Sequence, residues 1–159
     1  MNRVMVICVG TRLEPWLAEA VGEYEKRLQT YCRVETVAVR EERVTDEGDA
    51  AAIRAALRAE GERILARIPP DAFTVALCVE GEQTDSETLA SRLGEALDRS
   101  GKLCFVIGSS YGLDAAVKQA ASLRLSFSRL TFPHTWMRAL LLEAVYRSFS
   151  IRAGRRYHK

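Results

Sequence analysis

The chain reads as a single α/β domain, a parallel-rich sheet flanked by helices. Three observations lead there. Short apolar runs alternate with stretches of helical periodicity from end to end, the pattern of strands joined by crossover helices. A length of 159 residues suits one ordinary domain that can bury its own core. No repeat, low-complexity tract or Gly/Ser linker divides the chain, so residues 1–159 are expected to form one unit. With 48% hydrophobic and 28% charged residues, the composition is that of a folded, soluble protein.

Strands are expected at Val4 to Val9, Val34 to Val39, Phe73 to Val79, Leu103 to Ile107 and, short, Leu123 to Leu125. The first run passes straight into Gly10-Thr11-Arg12, too short for a signal-peptide core or a membrane span, which predicts a cytoplasmic protein with no membrane partner. From Pro15 to Thr30, Trp16, Leu17, Ala20, Val21, Tyr24 and Leu28 share one helical face. Arg40 to Gly48 is charged and nearly free of apolar residues, hence an exposed loop. Asp49 can cap a helix through Ile53, Leu57, Ile64 and Leu65, which Pro69-Pro70 must end. Thr84-Asp85-Ser86-Glu87 has the spacing of a capping box and opens a third helix that Gly101 closes.

The last helix, Trp136 to Ser150, carries Trp136, Met137, Leu140, Leu141, Leu142, Val145, Tyr146 and Phe149 around more than one face. One stripe would serve one core. The surplus must be buried elsewhere, at roughly 1.5 to 3 kcal/mol for each large side chain, and a second subunit is the expected place. A homodimer follows. Glu143 and Arg147, four residues apart in the favourable order, read as a solvated ion pair.

Charge is unevenly spread. Lys118 to Lys159 holds nine Lys/Arg against the single acid Glu143, a net of +8, whereas the first 117 residues carry 14 basic and 20 acidic groups, a net of −6. Such asymmetry marks a surface that meets a polyanion. The four cysteines lie in or at the start of strand-like runs without a C-x-x-C pair, and His134 and His158 are the only histidines, so buried free thiols and no metal site are expected.

Three stretches are candidates for chemistry. The strand Leu103 to Ile107 runs into Gly108-Ser109-Ser110-Tyr111-Gly112, a turn able to take positive φ and bring bare backbone to a ligand. It lacks the spacing of a P-loop or a G-x-G-x-x-G site, and a plain strand-to-helix turn assisted by Asp114 serves equally well. Leu125 to His134 mixes hydroxyls and aromatics between a strand and a helix. Those groups suit an adenine and a ribose; the alternative is an ordinary connection with Thr135 capping the next helix. The end, Ile151 to Lys159, is either a frayed cationic terminus or an RNA contact in which cations meet phosphate and Tyr157 or His158 stacks on an unpaired base.

At these residues the chain resembles the RlmH ribosomal RNA large subunit methyltransferases of the SPOUT superfamily. The resemblance spans essentially the whole sequence: Val9-Gly10, Glu23 to Leu28, Glu60 to Leu65, Phe105 to Gly108, Leu125 to Ser128, Leu130 to His134, Tyr146-Arg147 and Tyr157-His158-Lys159. It implies a trefoil-knotted α/β fold, a homodimer, S-adenosylmethionine as methyl donor, and N3-methylation of a pseudouridine in the 23S rRNA of the assembled 70S ribosome. By position, the donor pocket falls on Leu77, Gly108, Phe127, Ser128, Arg129, Leu130, Thr131 and Phe132. Two departures stand out: many relatives have Gly-Gly where this chain has Gly108-Ser109, and Arg155-Arg156 precede Tyr157 where a Pro or small residue is common.

Methyl transfer to an imide nitrogen requires in-line positioning and removal of the nitrogen's proton. His158 is the candidate proton acceptor or substrate contact, with Arg152 favouring negative charge, and Arg155, Arg156, Tyr157, His158 and Lys159 are the candidate RNA contacts. A non-catalytic basic RNA-binding module is the alternative; it would share the tail and lack a ligand pocket.

Overall fold

The computed structural model describes residues 1–159. Five strands, β1 (Asn2–Val9), β2 (Cys32–Val39), β3 (Phe73–Glu82), β4 (Lys102–Ile107) and β5 (Leu123–Leu125), alternate with five helices, α1 (Pro15–Leu28), α2 (Ala50–Leu65), α3 (Ser86–Ser100), α4 (Ala115–Ala120) and α5 (Trp136–Arg152). Every strand pair is parallel, and the order across the sheet is β2-β1-β4-β3-β5.

Side-chain alternation builds a core on each face of the sheet. Val4, Val6 and Cys8 of β1, with Leu103, Phe105 and Ile107 of β4, pack beneath α1, α3 and α5. Ile7 and Val9, with Cys104 and Val106, pack beneath α2 and α4. A central parallel strand covered on both sides must be apolar at every position, which is why Leu103 to Ile107 reads as one unbroken run. Its exit therefore lies between β1 and β3.

Local signals account for most helix ends. Asp49 accepts from the N–H groups of Ala51 and Ala52, Asp114 accepts from that of Ala116, and Gly101 takes φ 66° while donating to Leu97 O. The capping box does not form. Asp85, one residue closer to the helix than Thr84, is the N-cap, its carboxylate accepting from Thr88 N–H at 2.7 Å. Glu87 is thereby free to meet His158. Thr135 occupies the N-cap position of α5 but is already helical and makes no side-chain cap bond.

α5 departs from expectation. Leu141, Leu142, Val145 and Phe149 enter the core, Tyr146 packs among Tyr24, Tyr31 and Tyr157, and the helix lies against both α1 and α3. Two neighbours within the chain thus take most of the surplus apolar surface. What stays exposed is its first part, Trp136 and Leu140, with Trp136 edge-on to the exposed Trp16 at 5.3 Å between centroids.

Candidate functional site

Three chain segments converge at the carboxyl ends of β3, β4 and β5. The first is the turn after β4, where Gly112 N–H donates to Ser109 O at 2.9 Å and Gly112 takes φ 93°. Positive φ thus falls on Gly112. Gly108 is required for space instead: a Cβ there would lie 2.6 Å from the Gly112 carbonyl carbon and 3.0 Å from Leu113 Cγ.

The second is the end of β3, which continues to Glu82 rather than stopping at Val79 and closes over β5. Leu77 and Glu82 both pair with Leu125, so residues 78–81 bulge between them. Gly81 makes that closure possible, since a Cβ would sit 2.8 Å from the carbonyl carbon of Leu125. Ser126 N–H then donates to Glu82 O at 2.9 Å, fixing where the third segment begins.

That segment, residues 126–135, has no regular structure and holds itself by local bonds. The buried Ser126 hydroxyl donates to Ser128 O, and Ser128 Oγ accepts from Leu130 N–H, both at 3.0 Å. Leu130 is left 72% exposed.

Together the segments enclose a cleft of about 700 Å³, within the size range of small-molecule sites. Leu77, Gly108, Phe127, Ser128, Leu130, Thr131 and Phe132 all line it, whereas Arg129 does not. Tyr111 and His134, from the two candidate stretches, line it as well, as do Cys78, Glu80, Lys118 and Met137, which escaped the sequence reading. Cys78 and Glu80 follow directly from the bulge of β3, which no periodicity announces; Lys118 is brought in by its ion pair to Glu80, which holds that carboxyl below the ordinary range. The lining combines aliphatic and aromatic walls with the Ser128 and Thr131 hydroxyls and bare backbone at Gly108. No group of three or more His, Cys, Asp and Glu side chains is placed to hold a metal ion.

The C-terminal residues are tied down. Tyr157 OH donates to Glu143 Oε1 at 3.0 Å, its ring lies edge-on to Tyr146 at 4.8 Å, and the Arg147 guanidinium stands 4.7 Å from its centroid. His158 is held at both nitrogens, Nδ1 3.1 Å from Arg147 Nη1 and Nε2 2.7 Å from Glu87 Oε1. Glu143 and Arg147, joined at 2.6 Å and half-buried, are the anchor of the tail, which corrects the solvated pair expected from their spacing. Burial, with the hydrogen bonds to Tyr24 and Glu143, drives the Tyr157 phenol strongly upward.

Neither proposed reaction residue lines the cleft. Arg152 donates to Gly94 O at 2.7 Å and pairs with Asp98, so it joins α3 to α5. The cationic segment also yields fewer free charges than its composition suggests: Arg138 is buried and donates to Gly10 O, Arg147 and Lys118 are paired, and Arg155 lies over the Tyr31 ring at 5.1 Å. Arg124, Arg129, Arg156 and Lys159 are exposed and form no ion pair.

Comparison with known proteins matches the same architecture. The family model described as "Predicted SPOUT methyltransferase" matches residues 2–158. Proteins named ribosomal RNA large subunit methyltransferase H are similar throughout: that of Moorella thermoacetica is 43% identical over 160 residues, covering 100% of both chains, and that of Bacillus pumilus 43% identical over 157 residues, covering 98% of this chain and 99% of its own. Among solved structures, a probable methyltransferase from Bordetella pertussis Tohama I superposes with a TM-score of 0.58 at 18% identity, covering 92% of this chain and 96% of the other. A structure described as giving insights into 2-OH methylation of C/U34 on tRNA superposes at 0.54 and 16% identity, covering 97% and 99%.

Proposed function

The chain belongs to the SPOUT methyltransferase family, and on that premise we propose that it methylates 23S rRNA, transferring a methyl group from S-adenosylmethionine to N3 of a pseudouridine in the assembled ribosome. One observation carries the reading: the turn at Gly108 to Gly112 and the connection at Phe127 to Phe132 fold against each other into a single cleft at the ends of three parallel strands. The names of the full-length relatives supply the substrate class.

The cleft suits an adenosyl group. Phe127, Leu77 and Leu130 offer flat and aliphatic surface for a purine, Ser128 and Thr131 offer hydroxyls for a ribose, and Gly108 leaves backbone bare where any side chain would collide. When bound, S-adenosylmethionine supplies an electrophilic methyl on a sulfonium. The protein's own part is to hold that ligand rigidly, exclude water from it and bring the acceptor base alongside, so that positioning supplies much of the rate.

His158 is our proposed proton acceptor or substrate contact; its ring is oriented by Glu87 and Arg147. Arg152, spent on Gly94 and Asp98, is left out of the reaction. Arg155, Arg156 and Lys159 supply phosphate contacts, and Tyr157 holds the segment that carries them. We further propose a homodimer, for which the exposed Trp16, Leu130, Phe132, Trp136 and Leu140 supply apolar surface, a cytoplasmic location, and the knotted path of the family.

The test is mass spectrometry of 23S rRNA from a strain lacking the protein, before and after its ribosomes meet enzyme and S-adenosylmethionine. A new methyl on a pseudouridine is expected; unmodified rRNA after treatment refutes the assignment. His158→Ala should lower single-turnover methylation while leaving donor binding intact, and an unchanged rate removes His158 from the chemistry.

A further inference from the structure

Glu60 lies on the inner side of α2 with 3% of its surface exposed. A carboxyl so enclosed needs partners for both oxygens, because water cannot supply them. Oε2 accepts from the backbone N–H of Glu42 at 3.0 Å, whereas Oε1 is buried without a partner. Ser109, in the turn that forms one wall of the cleft and 5% exposed, likewise has a buried hydroxyl without a partner. The hydroxyl comes near enough to Glu60 to oppose the effect of burial on the carboxyl, yet closes no hydrogen bond of ordinary geometry. Two orphan groups facing each other in a dry interior become a bonded pair through a small shift of either side chain.

The surroundings keep them together. A Cβ on Gly61 would sit 2.9 Å from Asp114 Cβ, so α2 is already pressed against the start of α4 with no slack. The charged groups facing the carboxyl are Glu41 from the loop, which raises its pKa, and Arg63 from α2, which lowers it and is itself held by Glu42 and Arg40 O. Tyr111 in the turn faces Glu41 and Glu47, and Asp114 borders Gly61. Burial outweighs all of these, so the carboxyl holds its proton above the ordinary carboxylate range.

We propose that Glu60 is a positioning residue for the donor turn: one carboxyl oxygen accepts from Glu42 N–H and the other pairs with the Ser109 hydroxyl, tying the loop of residues 40–48, α2 and the turn at Gly108 to Gly112 into one unit. Naming S-adenosylmethionine as the ligand that benefits rests on the reading of the cleft given above. Glutamine reproduces the pattern, its carbonyl accepting and its amide donating. Leucine removes both bonds.

The sign of the pH effect follows from a folded-state pKa raised above the unfolded one. The folded protein then binds more protons than the unfolded chain as pH rises from the unfolded value to the folded value, so wild-type stability falls across that window. Glu60→Gln has no such proton to lose. The experiment titrates S-adenosylmethionine calorimetrically into wild type, Glu60→Gln, Glu60→Leu, Ser109→Ala and the Glu60→Leu/Ser109→Ala double variant, and measures ligand-free melting temperature between pH 5 and 8. Expected are a five- to tenfold weaker Kd, on the order of one lost hydrogen bond, in Glu60→Leu and Ser109→Ala, no further loss in the double variant, and near wild-type binding in Glu60→Gln. Glu60→Gln should also gain melting temperature over wild type as pH rises.

Additive losses in the double variant, Glu60→Gln binding as weakly as Glu60→Leu, or parallel pH profiles for wild type and Glu60→Gln each overturn the proposal. If Glu60→Leu fails to fold, Glu60→Gln and Ser109→Ala decide. Should wild type bind no S-adenosylmethionine, the reading of the cleft fails, while the ligand-free pH profiles of wild type and Ser109→Ala still judge the pair: a shift of the stability loss along pH when the hydroxyl is removed supports it, and identical profiles overturn it.

Discussion

Replacing Gly108 by alanine puts a methyl group where the chain has already placed the Gly112 carbonyl. The added Cβ would lie 2.6 Å from the Gly112 carbonyl carbon and nearer still to its oxygen, while ordinary contact begins at 3.4 Å. The turn must therefore open by about 0.8 Å or more, and the obstacle is backbone, which cannot rotate aside as a flexible side chain does. Relief at this position also displaces Leu113, a buried residue of the core beneath α2 and α4. Overpacking of this kind costs about 1 to 3 kcal/mol of stability. A displacement near 1 Å in a wall that positions a reacting ligand can cost on the order of 100-fold in turnover. Melting temperature, calorimetric titration with S-adenosylmethionine and single-turnover methylation of ribosomes report the three effects separately. Gly108→Ala with wild-type stability, donor affinity and turnover would refute the argument that this corner forms the wall of the site.

Other expectations follow from the same structure. Removing Arg155 and Arg156 by alanine substitution should weaken ribosome binding and reduce the slope of log affinity against log salt by roughly 0.7 to 0.9 for each phosphate no longer neutralised, with filter binding across a salt series as the measurement. Burial pushes the Cys32 and Cys104 thiols up to about 12, so in the native protein iodoacetamide at pH 8 should label the half-buried Cys78 first. S-adenosylhomocysteine should slow that labelling, since Cys78 lines the cleft, and mass-mapped labelling unaffected by the nucleoside would count against the site. Glu143→Ala removes the acceptor shared by Arg147 and Tyr157 and should cost about 1 kcal/mol, with faster carboxypeptidase trimming of the C terminus. Trp136→Asp should shift sedimentation toward monomer if the exposed part of α5 is the subunit contact.

What the sequence revealed and what it hid divide along sequence separation. Strand positions, the caps at Asp49, Asp114 and Gly101, and the irregular segments after β4 and β5 were legible, because each depends on residues within a few positions. The two faces of α5 were legible too, but their partners were not: periodicity shows that apolar surface must be covered without showing that α1 and α3 cover it. The same limit explains the charged residues. Arg138 reaches Gly10 across 128 positions and Arg152 reaches Gly94 across 58, so a count of cations overstated the free basic surface. Glu143 and Arg147 were recognised as a pair, yet only the folded chain shows Tyr157 and His158 resting on them. Glu60 looked like one acid among many on a charged helix; burial against loop and turn is a property of the tertiary structure.

A crystal structure of the protein with S-adenosylhomocysteine bears most directly on the whole reading. The adenosyl group is expected between Gly108 to Gly112 on one side and Phe127 to Phe132 on the other, with Leu77 beneath it. Density for the nucleoside elsewhere, with that cleft filled by its own side chains, would contradict the assignment.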